Sequence, residues 1–178
     1  MPAASSRAMR RKPDKLLASF GGDSTVADEL LADYQERCCE YARPLPGMVD
    51  TLSIIRSKGL AIGIVTNGEA EFQWRHIDAL SLREWVDAVL ISEVEGLRKP
   101  DKALFVRAAA RLNVAPTKCL FVGDDPTADI LGAHAAGMKT AWFRRGMTWP
   151  KEHGEPPGAV INALSELPKL IEEFENLP

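Results

Sequence analysis

From Gly59 to Phe143 short apolar runs rich in β-branched residues alternate with longer amphipathic stretches, and small turn residues sit at the joints. The runs are Leu60 to Val65, Ala88 to Ile91, Lys118 to Val122 and Lys139 to Phe143; between them lie Glu69 to Leu80, Asp101 to Leu112 and Pro126 to Ala136. Repetition of this kind predicts βα units and a parallel sheet. Because the runs are continuously apolar rather than alternating, helices are expected on both faces of that sheet. The predicted fold class is α/β, a doubly wound parallel sheet with a Rossmann-like core.

Ahead of Gly59 the pattern is helical over Ser24 to Tyr41 and again over Met48 to Lys58, with Pro44-Leu45-Pro46-Gly47 breaking between them. Past Phe143 come a Pro- and Gly-rich crossing from Trp149 to Gly158, a short run at Val160-Ile161, and a closing helix from Ser165 to about Glu175. A chain of 178 residues holds one real core. Residues 44–178 are expected to form it, residues 1–12 a solvated tail carrying the basic run Arg7 to Lys12, and residues 13–43 a helical segment between them.

Several function classes fall away. A net charge of −3, with Lys and Arg scattered, offers no field for a nucleic-acid backbone. No apolar run approaches the roughly 18 residues of a membrane helix, so no membrane partner is expected. Cys38, Cys39 and Cys119 form neither a disulfide framework nor a zinc spacing, which points to the cytoplasm. Neither Gly-x-x-x-x-Gly-Lys-Ser/Thr nor Gly-x-Gly-x-x-Gly follows a strand. His76 and His134 lie in helical pattern and read as surface or packing residues.

Ligands of an open α/β sheet gather at the carboxyl ends of its strands. Three joints there carry polar residues: Thr66-Asn67-Gly68 after the first run, Lys99-Pro100 a short loop beyond the second, and Gly123-Asp124-Asp125-Pro126 after the third, with Asp129 in the next helix. Each has an ordinary explanation. Thr-Asn-Gly is turn chemistry, Asp101 and Asp125 are placed to cap helices, and Asp129 suits a first helical turn. Asp124 is harder to dismiss, since adjacent carboxylates repel unless a cation neutralises them. All-oxygen ligands suit Mg²⁺, which uses one or two carboxylates together with substrate phosphate.

Taken jointly, Thr-Asn, Lys-Pro and Gly-Asp-Asp with a later Asp, in this order at successive strand ends, resemble the second, third and fourth motifs of the haloacid dehalogenase-like superfamily. The resemblance runs from Pro46 to about Gly146 and includes Gly132-Ala133 and Ala136-Gly137-Met138. It implies a Mg²⁺-dependent phosphomonoesterase for a small phosphorylated metabolite, a nucleotide or sugar phosphate. Thr66 and Asn67 would face the phosphoryl oxygens, and Lys99 would offset charge on the nucleophile and the phosphoryl group. Asp124 would hold Mg²⁺, with Asp125 or Asp129 supporting it directly, through water, or by fixing Lys99. A dehalogenase proper would not need these carboxylates, and a receiver domain would place its paired Asp first.

The family's first motif, an Asp-x-Asp whose first Asp is the covalent nucleophile, occurs nowhere before Thr66. The stretch Leu16 to Thr25 would put Gly21 at that position and Asp23 at the general acid; reading residues 13–43 as the remnant of a helical cap fits the apolar spacing of Ala27 to Tyr41 better. Truncation, a displaced start, or a segment supplied by a partner would each account for the missing motif. The alternative expectation is an inactive module that binds phosphate or metal. Oligomeric state is not written in the sequence.

Overall fold

The structure, a computed structural model, describes residues 24–175. The tail expected over 1–12, the first part of the 13–43 segment, and Leu16 to Asp23 lie outside the described residues. Helix α1 spans Ser24–Arg37 and ends in a 3-10 turn, Cys38–Tyr41; α2 is Met48–Ser57. Then follow β1 Gly63–Thr66, α3 Ala70–Ala79, β2 Ala88–Ile91, the short α4 Ser92–Glu95, and α5 Lys102–Arg111. The chain continues with β3 Leu120–Gly123, a π-helical turn Pro126–Leu131 running into α6 Gly132–Ala135, β4 Lys139–Phe143, β5 Ala159–Ile161 and α7 Leu167–Glu175.

All described strand pairs are parallel, but they form two sheets. β1 pairs with β2, Thr66 opposite Ile91, while β4 lies between β3 and β5, Gly123 opposite Trp142 and Phe143 opposite Ile161. The alternation of apolar runs predicts covered faces, and it cannot say which strands lie side by side, since side-chain period encodes faces and not lateral neighbours. No described strand lies between β1 and β3. Burial follows the same division: β2 and β4 bury Leu90, Ile91, Ala141 and Trp142, whereas every residue of β1 and β3 keeps part of its surface in water.

Helix α5 packs on both sheets at once. Its stripe of Leu104 and Ala108, one turn apart, meets Leu90, Val65, Ala88 and Leu97. The adjacent stripe of Phe105 and Ala109 meets Phe121, Cys119, Ala133 and Met138. Neighbouring stripes at i, i+4 spacing make this possible on a single helix. Gly132 allows α6 to close on α5, because a Cβ there would lie 2.7 Å from the Phe105 ring. On the other face of the larger sheet, Leu167, Leu164 and Leu170 cover Leu120, Val122, Ala141 and Ile161. Along β3, then, Phe121 faces α5 while Leu120 and Val122 face α7, which is why that run reads as unbroken apolar sequence. Helix α2 spans the same division by charge: Arg56 pairs with Asp87 just before β2 at 2.7 Å, and Lys58 with Glu172 of α7 at 2.8 Å.

Candidate active site

The parallel register brings the ends of β1, β2, β3 and β4 to one edge of the molecule, and the polar residues after each strand gather there. The loop after β1 is held by its neighbours: the Gly68 amide donates to Ser92 Oγ at 3.0 Å and the Ala70 amide to Glu93 at 2.8 Å. Asn67 spans to the Lys99 loop with both ends of its amide, Oδ1 accepting from the Lys99 amide at 2.8 Å and Nδ2 donating to the Lys99 carbonyl at 3.0 Å. The peptide after Lys99 is cis to Pro100. Thr66 donates its hydroxyl to Gln73 Oε1 at 2.8 Å.

Lys99 reaches from this half of the molecule to the other. Its ammonium meets Asp129 Oδ1 at 2.6 Å, with the two side chains only 13% and 6% exposed. The second oxygen of Asp129 accepts the amides of Asp124 and Asp125, each at 3.1 Å. The turn that carries Asp129 is π-helical, with the Ile130 amide donating to the Asp125 carbonyl at 3.2 Å. That extra width sets the Asp129 side chain against Gly123, where an added Cβ would lie 2.5 Å from Oδ2. Asp125 turns the other way and caps the turn, accepting from Thr127 and Ala128 at 2.9 and 2.7 Å.

Asp124 stands apart from both. Trp142 Nε1 donates to its backbone carbonyl at 3.0 Å, and its Oδ2 pairs with Arg145 Nη1 at 3.0 Å. Oδ1 makes no hydrogen bond to any described residue. Among the described residues no three His, Cys, Asp or Glu side chains converge at metal-binding spacing. Asp124, Asp125 and Asp129 therefore play separate parts among the described residues, in which Asp129 fixes Lys99, Asp125 caps a turn, and Asp124 is half exposed and pairs with Arg145. A carboxylate that reaches water suits Mg²⁺, which keeps most of its waters and takes one or two carboxylates together with a phosphate.

Asn67 meets the Lys99 backbone, Lys99 meets Asp129, and Asp129 meets the Asp124 amide, so these four are joined by contacts, while Thr66 precedes Asn67 in the chain and bonds Gln73. Gln73 and Arg145 complete the contacts. Gln73 carries no sequence signal beyond lying one helical start past Thr66, and Arg145 is flagged only by its position after the last long strand. Among the described residues, no helix is long and apolar enough to cross a membrane. Away from the site, Asp87 is held below the usual carboxylate range by the Ile62 amide and then by Arg56, and burial pushes the Cys119 thiol up.

Comparison with known proteins points one way. The sequence pattern of haloacid dehalogenase-like hydrolases matches residues 6–137. A glyceraldehyde 3-phosphate phosphatase of Methanopyrus kandleri is 35% identical over 167 residues, covering 90% of this chain and 71% of that protein. The glyceraldehyde 3-phosphate phosphatase of Pyrococcus furiosus is 38% identical over 137 residues, covering 76% of this chain, which spans 56% of its length. Among solved structures, a HAD-hydrolase of Bacillus subtilis bound to magnesium superimposes with a TM-score of 0.81 at 24% identity, over 95% of this chain and 73% of that one, a likeness of fold.

Proposed function

The chain belongs to the haloacid dehalogenase-like hydrolases, and on that footing we propose that its site binds the phosphoryl group of a small phosphorylated metabolite and hydrolyses the monoester with Mg²⁺. The observation that carries this is the Lys99–Asp129 pair at 2.6 Å, whose carboxylate also accepts the Asp124 amide. One N–H of the ammonium is used on Asp129, which leaves two donors for phosphoryl oxygens. A fixed positive charge of this kind is worth most where negative charge accumulates in the transition state. Asn67 holds the Lys99 backbone, and Thr66 supplies a hydroxyl that can turn from Gln73 to a phosphoryl oxygen. Asp124 is the carboxylate that would hold Mg²⁺; when bound, the ion supplies charge neutralisation and Lewis acidity toward the phosphoryl group. Residues 13–43 are read as a cap segment from their sequence pattern, and the cysteine pattern fits a cytoplasmic setting.

Hydrolysis also needs an attacking group, and the sequence carries no Asp-x-Asp ahead of Thr66. The second reading is binding of phosphate and cation without turnover. The two separate in one assay: purified protein, a chromogenic phosphomonoester and Mg²⁺, beside Asp124→Asn and Lys99→Met, with circular dichroism to verify folding. The phosphatase reading expects both variants to fall by about 10²-fold or more. Folded wild type that turns over no faster than Asp124→Asn overturns it. Phosphate binding by calorimetry in that case, lost in Lys99→Met, supports the second reading.

A further inference from the structure

Of the three carboxylates at the site, two have fixed partners: Asp129 has Lys99 and two amides, and Asp125 has the two amides that it caps. Asp124 alone depends on a cation that can leave. Arg145 and Asp124 are 54% and 45% exposed, so both groups reach water and exchange needs no opening of the core. The backbone that brings Arg145 back over the site is itself unusual. Arg145 has a φ of 48° and Gly146 a φ of 77°, with the Met147 amide donating to the Arg144 carbonyl at 2.8 Å. The turn is tied to β5 by the Arg144 amide, which donates to the Ile161 carbonyl at 2.9 Å. A long side chain in the left-handed region is uncommon, and such positions concentrate at functional sites.

We propose that Arg145 is a built-in competitor for the divalent cation at Asp124: its guanidinium neutralises the carboxylate in the metal-free protein and is displaced when the ion arrives. This rests on Asp124 as the metal-holding carboxylate. Two cations beside one half-exposed carboxylate repel each other, so the arrival of one weakens the hold on the other. Arg145 therefore lowers the apparent affinity for Mg²⁺ and keeps Asp124 neutralised between cycles of metal binding.

The test is calorimetric titration of the metal-free full chain with Mg²⁺ in the presence of inorganic phosphate, the co-ligand that a single carboxylate needs. It compares wild type, Arg145→Gly, Arg145→Lys and Asp124→Asn. Arg145→Gly suits the positive φ and removes the guanidinium, and Arg145→Lys keeps a positive charge at the same place. Arg145→Gly is expected to bind Mg²⁺ about three- to tenfold more tightly than wild type, a modest gain because an exposed ion pair couples weakly, with Arg145→Lys within about twofold of wild type because the charge is kept. The rise in Tm on adding Mg²⁺ should grow in Arg145→Gly by the same linkage. If Arg145→Gly binds no more tightly while Asp124→Asn abolishes binding, the competitor role is overturned and the metal site stands. If Asp124→Asn binds as wild type does, or none of the four binds, the metal reading falls and takes the competitor role with it.

Discussion

Replacing Asp129 by Asn tests the pair at the centre of the site with almost no change of shape. If the new Oδ1 keeps the amides of Asp124 and Asp125, its Nδ2 must face the Lys99 ammonium where an oxygen stood 2.6 Å away, donor against donor. With both side chains so little exposed, Lys99 is left as an uncompensated interior charge. Breaking a buried pair in this way costs about 3–5 kcal/mol. At a urea slope of about 2 kcal/mol per molar, the unfolding midpoint should fall by roughly 1.5–2.5 M, read by circular dichroism. Lys99→Met combined with Asp129→Asn should regain most of that loss, because Asn keeps the Asp124 and Asp125 amides on its Oδ1 while no buried charge is left unpaired. The penalty should also persist in 0.5 M salt, about a 4 Å screening length, which would erase a surface pair. A loss below about 1 kcal/mol in Asp129→Asn, or a double variant no better than the single, refutes the claim that these residues form a buried unit.

Gly123→Ala should destabilise by about 3 kcal/mol by urea unfolding, since its new Cβ would lie 2.5 Å from Asp129 Oδ2, whose side chain is held on both oxygens. Phosphoryl or phosphate binding should fall with it. Asp87→Asn addresses pH. The folded carboxylate of Asp87 is depressed by the Ile62 amide and Arg56, so its contribution is present above the unfolded value and is lost as pH falls through the folded one. At neutral pH the variant should lose less than about 1 kcal/mol, because the pair is largely solvated, and the difference from wild type should vanish in acid.

Local pattern carried much of this structure. β2 and β4 stand where the apolar runs place them, and Asp101 and Asp125 cap as their positions suggest. β1 starts three residues later than the run from Leu60, because Ile62 is engaged by Asp87, its amide on the Asp87 carboxylate and its carbonyl by the Asp87 amide. The stretch Pro126 to Ala136 reads as one helix, yet it opens as a wide turn because Asp129 folds back onto the amides of Asp124 and Asp125. Motif order brings Thr66, Lys99 and Asp124 to one edge, but the pairing of Lys99 with Asp129 spans 30 residues and leaves no periodic trace. Asn67, expected to face phosphate, spends both ends of its amide on the Lys99 backbone. The aim of Arg145 depends on two successive left-handed residues, which residue type alone does not announce when the first is Arg.

The Lys99–Asp129 pair ties the loop ahead of α5 to the turn that follows β3. Asn67 holds the Lys99 backbone at one end, and the amides of Asp124 and Asp125 hold Asp129 at the other. Helix α5 packs on the strands that carry each end, through Leu104 against Leu90 and through Phe105 against Phe121. Shaving Leu104 would therefore loosen the footing of one partner of the pair, and shaving Phe105 that of the other.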